Sequence, residues 1–207
     1  MSLVKHNNNS LSAVTSMASL TTGDMTLIKE QTASSSASIS FVDGTSDVVL
    51  DSTYPIYKFE FINIHSQNDV VQFYFNGSTD GGSNYNVTKT TTHFRAFHNE
   101  GGTNANLSYE APDDLAQSTS FQRLSDTTGN DNDQSCIGWL DLFEPSSTTF
   151  VKHFLSTTNT YQDGDYSINN YVAGYANTTS AINGIQFKFD SGNIDSGSIK
   201  LYGIRDS

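Results

Sequence analysis

The chain has 207 residues, which suits one large β domain or one medium domain with an extension. Its 22 acidic residues outnumber 10 basic ones for a formal net charge of −12, which excludes the basic patch of a nucleic-acid-binding module and attachment to an anionic membrane surface. Only 15% of the residues are charged while 12% are aromatic, so Ser, Thr and Asn must carry solubility, Phe and Tyr can fill a core, and disorder of the whole chain is excluded.

Residues 1–23 are small, polar and weakly patterned, with no charged segment leading into an unbroken apolar run, so they do not read as a signal peptide. They are expected to form an N-terminal arm, with Leu3, Val4, Lys5, His6, Leu11 and Val14 as its candidate anchoring residues. No stretch approaches the roughly 20 apolar residues that span a membrane. Residues 24–207 are expected to form the folded domain.

From Met25 the apolar period becomes two. "MTLIKEQT" reads as a strand, and "ASISFV" as another that closes on the Asp43–Gly44 turn signal. In "IYKFEFINIH" Tyr57, Phe59 and Phe61 alternate with Lys58 and Glu60, and the parity breaks at Ile62–Ile64, which predicts a bulge or a change of sheet. "DVVQFYFNGS" places Val71, Phe73 and Phe75 on one side. A Thr-rich strand follows in "YNVTKTTTHFRAFHNEGG". The irregular segment 103–135 holds short strands at Leu107–Tyr109 and Phe121–Leu124 and a helical turn at Pro112. Order returns in "CIGWLDLFE", where Cys136 reads as a buried thiol, and in "TTFVKHFLST" and "NNYVAGY". The clearest pattern comes last: Ile185, Phe187 and Phe189, then Ile199 and Leu201, which reads as a hairpin. About ten short strands between Gly, Asn, Asp and Ser clusters predict an all-β fold, an antiparallel jelly-roll-like sandwich, with Trp139 in its interior or at a subunit contact.

Chemistry is sparse along this chain. His93 and His98 are five apart in a strand and so face opposite ways, which is poor spacing for a shared metal. Asp113–Asp114, Asp131–Asp133 and Asp163–Asp165 read as ordinary turns, since no full Ca²⁺ loop surrounds them. Glu60, Asp141 and Glu144 are the strand-borne acids a glycosidase would need, and each reads as a solvent-facing residue. No nucleophile elbow, zinc motif or phosphate-binding loop is present, so no catalytic residue, cofactor or metal ligand is assigned. Tyr85, Tyr161 and Tyr166 lie in Asn-rich loops and are the candidate glycan contacts.

"LVKHNNNSLSAVTS", "STDGGSNYNVTKTTTHFRAFHNE", "DDLAQSTSFQ", "PSSTTFVKHF" and "INGIQFKFDSGNIDSGSIKLYGI" together resemble structural proteins of tailed phages of marine bacteria and cyanobacteria. The resemblance covers nearly the whole chain and implies a β-rich, trimeric virion protein made in the host bacterial cytoplasm. It implies a capsid decoration or cement protein that contacts the major capsid protein or other virion proteins, or alternatively a head, neck or tail fibre that recognises a host surface glycan. It supplies no catalytic residues, and the chain is not expected to be an enzyme, to bind nucleic acid or to sit in a membrane.

Overall fold

The structure is a computed structural model and describes residues 25–205, so the candidate anchors Leu3, Val4, Lys5, His6, Leu11 and Val14 lie outside the described residues. Twelve strands run in chain order: β1 (Met25–Thr32), β2 (Ile39–Val42), β3 (Ile56–Ser66), β4 (Phe73–Ser78), β5 (Lys89–Asn99), β6 (Ala105–Tyr109), β7 (Gln122–Arg123), β8 (Cys136–Phe143), β9 (Lys152–Gln162), β10 (Tyr166–Ala176), β11 (Gly184–Phe189) and β12 (Ile194–Ile204). Among the described residues the sole helical piece is a 3₁₀ turn at Ala111–Asp113, with Pro112 in its first turn. None of the helical residues described is long and apolar enough to cross a membrane.

The strands form two antiparallel sheets packed as a sandwich. The large one has eight strands in the order β1-β12-β3-β8-β9-β10-β5-β6, and the small one has four in the order β2-β11-β4-β7. The all-β antiparallel sandwich agrees with the sequence reading; a jelly-roll connection pattern is not established by this strand order. The hairpin reading of residues 182–204 is corrected. β11 belongs to the small sheet between β2 and β4, whereas β12 belongs to the large sheet between β1 and β3. Residues 190–193 carry the chain across the core, turning at Gly192 with φ +72°. Alternation records that each strand buries one face, and two strands facing each other across a core satisfy it as well as two side by side.

The core fills the gap between the sheets. Tyr57, Phe59 and Phe61 of β3, Leu140 and Leu142 of β8, and Ile199 and Leu201 of β12 point inward from the large sheet. Phe41 of β2, Phe73 and Phe75 of β4, and Ile185, Phe187 and Phe189 of β11 meet them from the small one. Phe187 is the hub, with its ring centroid within 6.5 Å of those of Phe41, Phe59, Phe61, Phe73 and Phe75. Cys136 joins this core, and burial pushes its thiol up to about 11, so it is an inert apolar filler. The expected parity break in β3 is a bulge: the register against β8 slips between Phe61 and Ile64, and Asn63 takes a φ of +48°. β12 accommodates it with Gly197 at φ +107°, where a Cβ would lie 2.4 Å from the Asn63 carbonyl oxygen.

The small sheet leaves the inner faces of β5 and β10 to be closed by residues 110–128. His93 Nδ1 lies 3.3 Å from Asp113, Arg95 Nε donates to Glu110 at 2.8 Å, and Thr158 Oγ1 donates to the Leu124 carbonyl at 2.5 Å. With one side of the large sheet thus consumed by core and loop, its other side is left uncovered by the described residues.

Candidate functional site

The free side of the large sheet is set by register. Directly paired residues share a face, so Glu30, Lys200, Glu60, Trp139, Thr157, Tyr171, Phe94 and Tyr109 form one row across all eight strands. Ile137, Asn159, Asn169, Ala96 and Leu107 form the next row on one side, and Lys58, Asp141, Leu155, Ala173 and Thr92 the next on the other. The first-mentioned row changes character midway. Its first three positions alternate in charge, and from Trp139 onward it is aromatic apart from Thr157. Phe94 and Tyr171 stack with centroids 4.8 Å apart and planes 12° apart. Lys58 pairs with Asp141 at 2.7 Å and sits 5.2 Å from the Trp139 ring centre. Trp139 is therefore not an interior residue; it stands on this face, 41% exposed. Glu60 and Asp141 face the same way, as expected of solvent-facing strand residues.

Most of the large apolar side chains exposed in the described residues lie on this side: Met25, Leu27, Ile62, Phe94, Leu107, Tyr109, Ile137, Trp139, Leu155 and Tyr171, with Val70 and Phe150 elsewhere. The outward positions of β9, β10, β5 and β6 carry no formal charge at all, His being neutral. An uncharged face that carries this many exposed aromatic and aliphatic side chains is the candidate interaction surface.

The three glycan candidates do not come together. Tyr161 and Tyr166 flank the β9–β10 turn, where Asp163, Gly164 and Asp165 form the tight loop and Asp165 takes a φ of +62°. Tyr166 separates two shallow clefts. One, of about 210 Å³, is lined by Arg95, Phe97, Asn104, Asp126, Gln162 and Ile168. Asn104 Nδ2 donates to the Tyr166 hydroxyl at 3.1 Å, and the Phe97 and Tyr166 rings meet edge to face at 5.8 Å. The other, of about 320 Å³, has His98, Glu100, Asn159 and Tyr161 on its wall. The Tyr161 phenol is raised to about 12, by loss of solvent and by the charges of Glu100 and Asp165, and so is a neutral donor. Tyr85 sits instead in the β4–β5 connection, its carbonyl accepting from Asn76 Nδ2 at 2.8 Å. That is the Lys89 end of β5, while Tyr166 pairs with Asn99 at the other end, roughly 33 Å away along an extended strand.

Beneath the first cleft lies a buried ionic network that sequence reasoning missed. Arg123 holds Asp113 through Nη1 at 2.8 Å and Asp126 through Nη2 at 2.7 Å, and Arg95 joins Asp126 to Glu110. Burial pushes the Asp113 carboxyl up, but the His93 contact and the Arg123 guanidinium outweigh it and hold the group below the ordinary carboxylate value. His93 is wholly buried, and its Nε2 lies 3.2 Å from Asn170 Oδ1. The carboxylates are committed to arginines, so the network's work is to fasten residues 110–128 onto β5. The spacing argument on the histidines holds: His93 points inward and His98 outward. No group of His, Cys, Asp or Glu fit to hold a metal occurs among the described residues.

No protein-family model, no curated protein and no solved structure matches this chain.

Proposed function

We propose that the protein is a structural component of a tailed-phage virion, a trimeric decoration or cement protein on the outer surface of the head, in contact with the major capsid protein. The observation that carries this reading is the outward side of the large sheet: an aromatic-bearing surface, uncharged over four strands, in a chain of net charge −12. A monomer working alone in water has no use for such a face, while a building part does. The resemblance of its motifs to phage structural proteins points the same way. Several modest contacts made by one rigid trimer reinforce one another, so no single contact needs high affinity.

The test is co-sedimentation of purified protein with expanded phage heads that lack it, followed by imaging. Regular occupancy over the shell is the expected result. Well-folded protein that leaves the heads bare overturns the decoration role.

The clefts beside Tyr166 favour a second reading, a fibre or receptor-binding component that recognises a host surface glycan. They combine aromatic edges with Asn, Gln, Arg and Asp side chains, the mixture a neutral sugar is held by. Binding on a glycan array that is lost in Tyr166→Ala, with the fold retained, is the outcome this reading expects; silence of the intact protein counts against it.

A further inference from the structure

Building on the assembly reading above, we infer that the outward face of β9, β10, β5 and β6, bordered by Ile137 and Trp139 of β8, is the surface on which a second copy of this chain seats.

The identity of the occupant follows from charge, area and ring orientation. A second copy brings the same −12, and two such molecules repel wherever their acidic surfaces meet. The outward positions of these four strands offer Leu, Ala, Thr, Ser, Asn, His and aromatic residues and no formal charge, so this is where two copies approach without apposing like charges. Of the charges bordering it on β3, β8 and β12, Lys58 is paired with Asp141, and Lys200 stands between Glu30 and Glu60 in its row, which leaves that border with one negative charge in excess.

Area agrees. Five neighbouring strands about 4.8 Å apart, with β9 and β10 eleven residues long, give a footprint of roughly 600 Å². Side chains roughen that footprint into a larger accessible area, close to the roughly 800 Å² per partner of a standard interface. A sheet face is also the natural partner of another sheet face, since their side chains interdigitate across a gap of about 10 Å.

Ring orientation argues against a sugar here. Phe94 and Tyr171 lean on one another across neighbouring strands with nearly parallel planes, so they stand upright and spend ring faces on each other. A saccharide stacks on a free ring face, whereas upright rings with Leu155 beside them make the ridges that slot into a matching protein surface. Around a threefold axis one side of this face meets the other side of the neighbour's face, a heterologous contact that closes into a ring.

Sedimentation equilibrium of the full chain, with the Leu155→Asp/Tyr171→Asp double variant beside it, tests this. Both side chains point to solvent in the protomer, so the fold is expected to survive, as circular dichroism will show. The wild type is expected above monomer mass and the double variant at monomer mass. Trp139 is the single tryptophan, so its emission must move to longer wavelength when the wild type is diluted into monomers. Thr157→Arg, in the middle of the row, is a second variant with the same expected outcome should the first misfold. A wild type that is monomeric at about 100 μM, where residues 1–24 or another protein cover the face instead, overturns the inference, as does assembly that survives the variants. A monomer that still coats phage heads leaves the structural role standing and removes only the self-contact; an assembled protein that ignores the heads does the reverse.

Discussion

Lys89 shows at the scale of one residue how much the interior dictates. It is 1% exposed, and its ammonium donates to Asn76 Oδ1 at 2.5 Å and to the Val87 carbonyl at 2.8 Å, with no carboxylate in contact. Lys152, two strands away in the same row, is buried as fully and donates to the carbonyls of Thr178 and Ser180. Burial disfavours both charges and lowers the Lys89 ammonium to about 7. An unfolded lysine titrates near 10.4, so between about pH 7 and pH 10 the unfolded chain binds more protons than the folded one. Stability therefore rises with pH through that window, at up to about 1.4 kcal/mol per pH unit from this group. Urea midpoints of the wild type and Lys89→Met at pH 7 and pH 9 measure it: the wild type gains relative to the variant at the higher pH. Equal gains place the titration of Lys89 outside the window.

At the scale of elements, two packings hold the fold, and each has its own expected failure. Phe187 of β11 is the ring on which β2, β3 and β4 converge, so Phe187→Ala opens a cavity between the sheets and costs about 4 kcal/mol, read from the denaturant midpoint at unchanged slope. Arg123 of β7 works differently. It joins Asp113 to Asp126 and so holds the segment 110–128 together, while Arg95 of β5 ties that segment to the sheet through Asp126 and Glu110. Arg123→Met leaves those carboxylates buried and short of a counter-charge, at a cost of about 3 kcal/mol. Hydrogen exchange separates the two: Arg123→Met is expected to speed exchange first in residues 110–128, whereas Phe187→Ala lowers protection throughout the core. Uniform loss of protection in Arg123→Met would show that the segment folds with the core as one unit.

At the scale of the whole molecule, the distribution of charge matters more than its sum. The −12 lies mainly off the outward side of the large sheet, so in the proposed self-contact long-range repulsion opposes association and apolar contact drives it. Self-association is therefore expected to be at least as strong in 0.5 M NaCl as in 0.05 M, and sulfate is expected to strengthen it further. Dissociation by salt would mean that ion pairs make the contact, and it would move the interface toward β3, β8 and β12, where the charged pairs lie.

What the sequence determined by itself is local. Period two from Met25 onward, with Gly, Asn and Asp at the breaks, determined that the chain is strands, because a pleated strand turns alternate side chains to opposite sides whatever its partner is. The bulge after Phe61, the turn at Pro112, the short strands near Leu107 and Phe121, the buried thiol of Cys136 and the opposed His93 and His98 were legible for the same reason: each depends on a few neighbouring residues. Partnership was not legible. The tertiary structure alone decided that β11 and β12 lie in different sheets, that Tyr161 and Tyr166 line one cleft while Tyr85 stands at the far end, and that Arg95, Arg123, Asp113 and Asp126 share one buried network. It also decided the free face. Trp139, Tyr171, Phe94 and Tyr109 are up to 77 positions apart in the chain and become neighbours only through strand register. Alternation tells which residues share a side of one strand; long-range pairing tells which sides are joined and which of the two the core takes.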